Sequence, residues 1–131
     1  MKVGLTGSRT WSNNRMIKEI IFKLKQQFGD DLEIISCGET LGADKAIKKY
    51  ALEFDCKYGE FNVAHSPRNL YSRMPEHFYD KPFAPKNYYV RNSIYTKSAS
   101  AFILFIDKST PVLDGLIKLL NKNNKKFIIY N

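Results

Sequence analysis

Twice in its first half this chain runs an apolar, β-like stretch through a glycine-bearing turn into an amphipathic helix, and few folds admit that pattern. The first unit is residues 2–6, the turn Thr6-Gly7-Ser8-Arg9, and a helix with Met16, Ile17, Ile20, Ile21, Leu24 and Phe28 at spacings of three and four. Gly29 then supplies a stop. The second unit is residues 33–37, the turn Cys37-Gly38-Glu39-Thr40-Leu41-Gly42-Ala43-Asp44, and a helix with Ala43, Ala46, Ile47, Tyr50, Ala51 and Phe54 on one face. Consecutive βα units imply a parallel sheet, because each strand must return to the same edge through a crossover helix.

The rest of the chain extends the pattern. Residues 57–63 predict a third strand, weakened by Gly59. Residues 101–106, AFILFI, are unbroken in their apolarity and fit a central strand covered on both faces. Thr110-Pro111 reads as an N-cap and first-turn pair opening a helix with Val112, Leu113, Leu116, Ile117 and Leu120 inside. A helix over 87–97 precedes the central strand, and residues 127–130 close the chain as a last strand. Right-handed crossovers give strand order 3-2-1-4-5, with the reversal between strands 1 and 4. We therefore expect an α/β, Rossmann-like three-layer domain with a mainly parallel five-stranded sheet, and 131 residues suit one such domain.

Residues 64–89 break this texture, holding Pro67, Pro75, Pro82 and Pro85 among Tyr71, Phe78, Tyr79, Phe83, Tyr88 and Tyr89. So long a stretch without regular structure is uncommon in a compact domain, and its aromatic content argues for an ordered lid.

Composition narrows the partners. A formal charge of +8 attracts nucleic acids, anionic metabolites and membrane surfaces alike. No apolar run approaches the roughly 20 residues of a membrane span, and no secretory signal opens the chain, so a cytoplasmic location without membrane insertion is expected. Cys37 and Cys56 lack CxxC spacing and read as buried reduced thiols. His65 and His77 lack ligand-like neighbours. We expect neither a metal nor a resident cofactor.

The turns carry the chemistry. Gly7 permits close backbone approach, Ser8 offers a hydroxyl, and Arg9 offers a fork for phosphate or carboxylate. Gly38 and Gly42 bracket Glu39 and Thr40, and the following helix N-terminus favours anions. Glu39 can accept ribose hydroxyls or activate water, and Asp44 is either a second base or a carboxylate that steadies the helix dipole. Arg91 and Asn92 reach the same crevice from across the reversal, and Ser109 and Thr110 add a third anion contact, with Thr110 capping its helix in either case.

These residues resemble the SLOG superfamily of Rossmann-like proteins, which unites DNA-processing protein A, the LOG phosphoribohydrolases and the YspA-like proteins of bacteria and their phages. The likeness is to the YspA-like group in Thr6-Gly7-Ser8-Arg9, in Ser36-Cys37-Gly38 through Gly42-Ala43-Asp44, in Arg91-Asn92, and in Asp107-Lys108-Ser109-Thr110. It spans nearly the whole chain. Glu39-Thr40-Leu41 replaces a tighter glycine-rich turn, a final G-T is missing, and the P-G-G-x-G-T-x-x-E signature of the LOG enzymes is absent. The resemblance and the aromatic surplus imply a homo-oligomer, with a dimer favoured.

Three functions follow in order of expectation. The first is capture of a nucleotide or nucleotide-derived small molecule between the glycine turns and the lid. The second is hydrolysis of an N-glycosidic or phosphate bond, with Glu39 or Asp44 as base. The third is nucleic-acid binding, supported by the net charge and by Lys122, Lys125 and Lys126.

Overall fold

The structure is a computed structural model that describes residues 1–63, 69–75 and 85–131. Five strands, β1 (Lys2–Gly7), β2 (Glu33–Ser36), β3 (Lys57–Glu60), β4 (Ala101–Phe105) and β5 (Lys126–Tyr130), pair in parallel in the order β3-β2-β1-β4-β5. The helices are α1 (Asn14–Phe28), α2 (Gly42–Glu53), α3 (Pro85–Thr96) and α4 (Pro111–Lys122). The strand order is the expected one, and the winding reverses between β1 and β4.

Alternation along the strands builds two cores. Val3, Leu5, Ile34 and Tyr58 pack with Ile17, Ile21, Ala46 and Ile47 of α1 and α2. Ile35, Phe102 and Leu104, of opposite parity, pack with Tyr95, Leu113, Leu116 and Leu120 of α3 and α4. Each fully buried aliphatic side chain contributes about 1.5–3 kcal/mol, so both layers hold firmly to the sheet.

The ends of the elements are set by local chemistry. The Asn13 side chain accepts from the Met16 N–H to start α1, and Gly29 at φ 59° ends it. Thr110 caps α4 by accepting from the Leu113 N–H, with Pro111 in the first turn. Regular β3 stops at Glu60, short of the expected residue 63. There the Glu60 N–H donates to the Tyr71 carbonyl, and the Arg73 N–H donates back to Glu60. Residues 71–73 thus cover that sheet edge, and the Arg73 side chain lies over Gly59, where a Cβ would meet it.

Helix α3 begins at Pro85, two residues earlier than periodicity suggested, since proline suits a first turn. Much of the expected lid, namely residues 64–68 and 76–84, lies outside the described residues, as do both histidines. Among the described residues no helix is long and apolar enough to cross a membrane. Cys37 and Cys56 are both free and buried.

Candidate ligand-binding cleft

At the reversal β1 and β4 stay paired to their last residues, Gly7 and Phe105, and the Ser8 hydroxyl ties the first turn to the loop after β4. Ser8 Oγ accepts from the Asp107 and Lys108 N–H groups and donates to the Lys108 carbonyl, at 3.0–3.3 Å. The Ser8 N–H donates to Phe105 O at 2.8 Å. Gly7 allows this approach, because a Cβ there would collide with the Phe105 carbonyl. Ser8 is consequently a buried staple, with its hydroxyl committed to protein.

The second turn docks on the first. The Ala43 N–H donates to Ser8 O, and Gly42, at φ 64°, lies so near the Ser8 and Arg9 carbonyls that no Cβ fits. This changes the expected role of the α2 N-terminus. One of its leading amides is spent on protein, and Asp44, 1% exposed, accepts from Thr6 Oγ1 at 2.8 Å and from the Glu39 N–H at 3.0 Å. Burial pushes the Asp44 carboxyl up from 3.8 to about 7, against those two hydrogen bonds, which favour the ionised form. Asp44 fixes the backbone of Glu39 and does not line the cleft.

Beside this junction opens a cleft of about 560 Å³. Its polar side holds Ser8, Arg9, Thr10, Glu39, Arg91 and Lys108, and its apolar side includes Tyr88, Tyr89, Val112, Leu113 and Leu116. Arg9 Nη2 lies 3.0 Å from Glu39 Oε2 and donates to Tyr88 Oη at 3.1 Å. Arg91, on α3 and only 2% exposed, reaches the other carboxylate oxygen, with Nη2 3.9 Å from Glu39 Oε1. It is anchored from behind, since Nη1 donates to the carbonyls of Cys37 and Phe61 and Nε donates to Asn92 Oδ1. The Tyr88 ring lies against this guanidinium, 5.4 Å away. Glu39 chiefly raises the Arg9 pKa further, so that guanidinium remains cationic.

The residues singled out in the sequence therefore separate into two sets. Gly7, Ser8, Arg9, Glu39, Arg91, Asn92 and Thr110 line the cleft. Gly38, Thr40, Gly42, Asp44 and Ser109 do not. Gly38 faces Glu60 and Asn62 beneath β3, and Ser109 Oγ donates to Asp114 at 2.5 Å. Asn92 is spent as a brace, with Nδ2 donating to Val112 O. Lys108 and Thr10 were missed, although each adjoins a residue that was named. Among the described residues no group of three His, Cys, Asp or Glu side chains could hold a metal ion.

No protein-family model and no curated protein matches the chain. Solved structures do. DNA processing protein A from Helicobacter pylori, described by its single-stranded DNA binding mode, superposes with a TM-score of 0.72 at 18% identity, over 98% of this chain and 64% of that one. The molybdenum cofactor binding protein from Rippkaea orientalis superposes at 0.69 and 16% identity, over 98% of this chain and 74% of that one. The molybdenum cofactor carrier protein from Chlamydomonas reinhardtii gives 0.62 and 17%, again over 98% and 74%. This chain thus spans less than two thirds of the Helicobacter protein. At these identities the likeness is one of fold, a Rossmann-like α/β architecture.

Proposed function

We propose that the chain binds a nucleotide or nucleotide-derived small molecule in the cleft between β1 and β4, as a sensor or sequestering protein. The observation that carries this reading is the pair Arg9 and Arg91 converging on Glu39 opposite an aromatic and aliphatic wall. Among the described residues three cationic side chains line the cleft against one carboxylate, which favours an incoming phosphate. Arg9 can turn from Glu39 to the ligand, because its side chain is 57% exposed. Arg91 is pre-set by two carbonyls, and so spends little ordering entropy on binding. The apolar wall suits a base. The neighbours' association with single-stranded DNA and molybdenum cofactor is in keeping with a fold whose reversal accepts phosphorylated ligands.

Isothermal titration against mononucleotides, ADP-ribose and cyclic dinucleotides tests the proposal. At least one should bind, and Arg9→Ala should weaken it by about 1.5–3 kcal/mol, the usual worth of a charged hydrogen bond. Silence across the panel would refute it.

A second reading is a hydrolase that cleaves an N-glycosidic or phosphate bond. It rests on Glu39 being the one carboxylate among the described cleft-lining residues. Chromatography of nucleoside monophosphates after incubation should then show product that disappears in Glu39→Gln; full turnover in that variant would remove Glu39 as the base.

A further inference from the structure

A second concavity, of about 600 Å³, shares no residue with the cleft. It lies between α1 and α2 and is lined by Arg15, Lys18, Glu19, Phe22, Tyr50 and Phe54. Three rings line it in sequence. Phe22 meets Phe54 edge-on at 5.6 Å, and Phe54 stacks on Tyr50 at 6.3 Å and 24°. Phe22 remains 48% exposed. The rim is basic. Lys18 Nζ and Lys49 Nζ stand 5.8 and 5.2 Å from the centre of the Tyr50 ring, and Arg15, joined to Glu19 at 3.1 Å, marks one end.

We propose that this groove binds single-stranded nucleic acid, with an unstacked base laid on Phe22 and phosphates held by Arg15, Lys18 and Lys49. An exposed ring backed by further aromatics, with cations close by, is the combination that sequence-tolerant strand binding uses. The rim's charge decides against the competing occupants. A second copy of this chain would set lysines against lysines, and a neutral apolar ligand would leave the cations unused. A duplex keeps its bases stacked and cannot reach the rings. The chain's +8 charge adds long-range attraction for a polyanion.

The test is fluorescence anisotropy of a labelled oligothymidylate of about 15 nucleotides, a length that covers one such site. Binding should appear at low salt, and three phosphate contacts predict a slope of log K against log salt of about −2, or a loss of about twentyfold between 50 and 200 mM. Phe22→Ala should weaken binding about tenfold, as the loss of one stacked base does. Phe22→Trp should restore binding and report it by quenching of the new indole. A Lys18→Gln, Lys49→Gln double variant should flatten the salt slope to about −0.7. All three variants should leave nucleotide binding in the cleft unchanged, so this inference and the proposed function fail separately. Absence of binding at low salt overturns the inference and makes an acidic protein the fitting occupant. Equal affinity for duplex, or affinity lost in Arg9→Ala but kept in Phe22→Ala, overturns it as well.

Discussion

Replacing Asp44 with asparagine should make the protein more stable at neutral pH and remove most of a pH dependence that the native chain carries. The carboxyl is buried at the junction of β1 and α2, and its pKa in the folded chain is about 7 against an ordinary 3.8. The unfolded chain therefore releases this proton first. Stability from neutral Asp44 is complete below about pH 4 and is lost as the pH rises through about 7, where the folded chain finally ionises. At about 1.4 kcal/mol per pH unit, the interval amounts to about 4 kcal/mol. Asparagine fits the same contacts, with Oδ1 accepting from the Glu39 N–H and Nδ2 donating to Thr6 Oγ1. Urea unfolding followed by the fluorescence of Trp11, the lone and buried tryptophan, measures both proteins from pH 4 to pH 8. Other titrating groups cancel in the difference. The native chain should lose about 3–4 kcal/mol relative to Asp44→Asn across that range. Parallel curves, or a native chain that gains on the variant as the pH rises, would refute the argument that burial outweighs the two hydrogen bonds.

Three further outcomes follow from the same junction. Gly42→Ala should cost at least about 1 kcal/mol in urea unfolding, since its φ of 64° and the Ser8 carbonyl both reject a side chain. Ser8→Ala leaves the Asp107 and Lys108 amides without their acceptor and should cost about 1–3 kcal/mol; an effect below about 0.5 would deny the staple its role. Cys37, buried and pushed up to about 12, should resist alkylation at pH 8 in the folded protein and react once denaturant is added, as peptide mass spectrometry would record.

The strand order was legible because it depends on features that a single sequence displays: apolar runs of β length, helical spacing, and glycines at the joins. Thr110-Pro111 and Gly29 were legible for the same reason, since capping is local. The roles of Asp44 and Arg91 were not. Asp44 looks like a helix-end carboxylate until Thr6, 38 positions away, is seen to donate to it. Arg91 sits on a helix with little amphipathic contrast, and it is held by carbonyls just past β2 and just past β3, which no spacing within α3 reveals. Ser8 and Ser109 were both read as anion contacts, yet each hydroxyl is consumed by a neighbour that folding brings to it. Lys108 belongs to the Asp107–Thr110 motif but was not read as a contact, and it lines the cleft beside Ser8, which bonds its backbone.

The most direct trial is a crystal structure of the protein soaked with whichever mononucleotide titrates most strongly. The phosphate should lie against Arg9 and Arg91, in place of or beside the Glu39 carboxylate, with the base along Tyr88 and the α4 wall. A nucleotide seated away from β1 and β4, with the Arg9–Glu39–Arg91 cluster untouched, would contradict the assignment of this cleft as the ligand site.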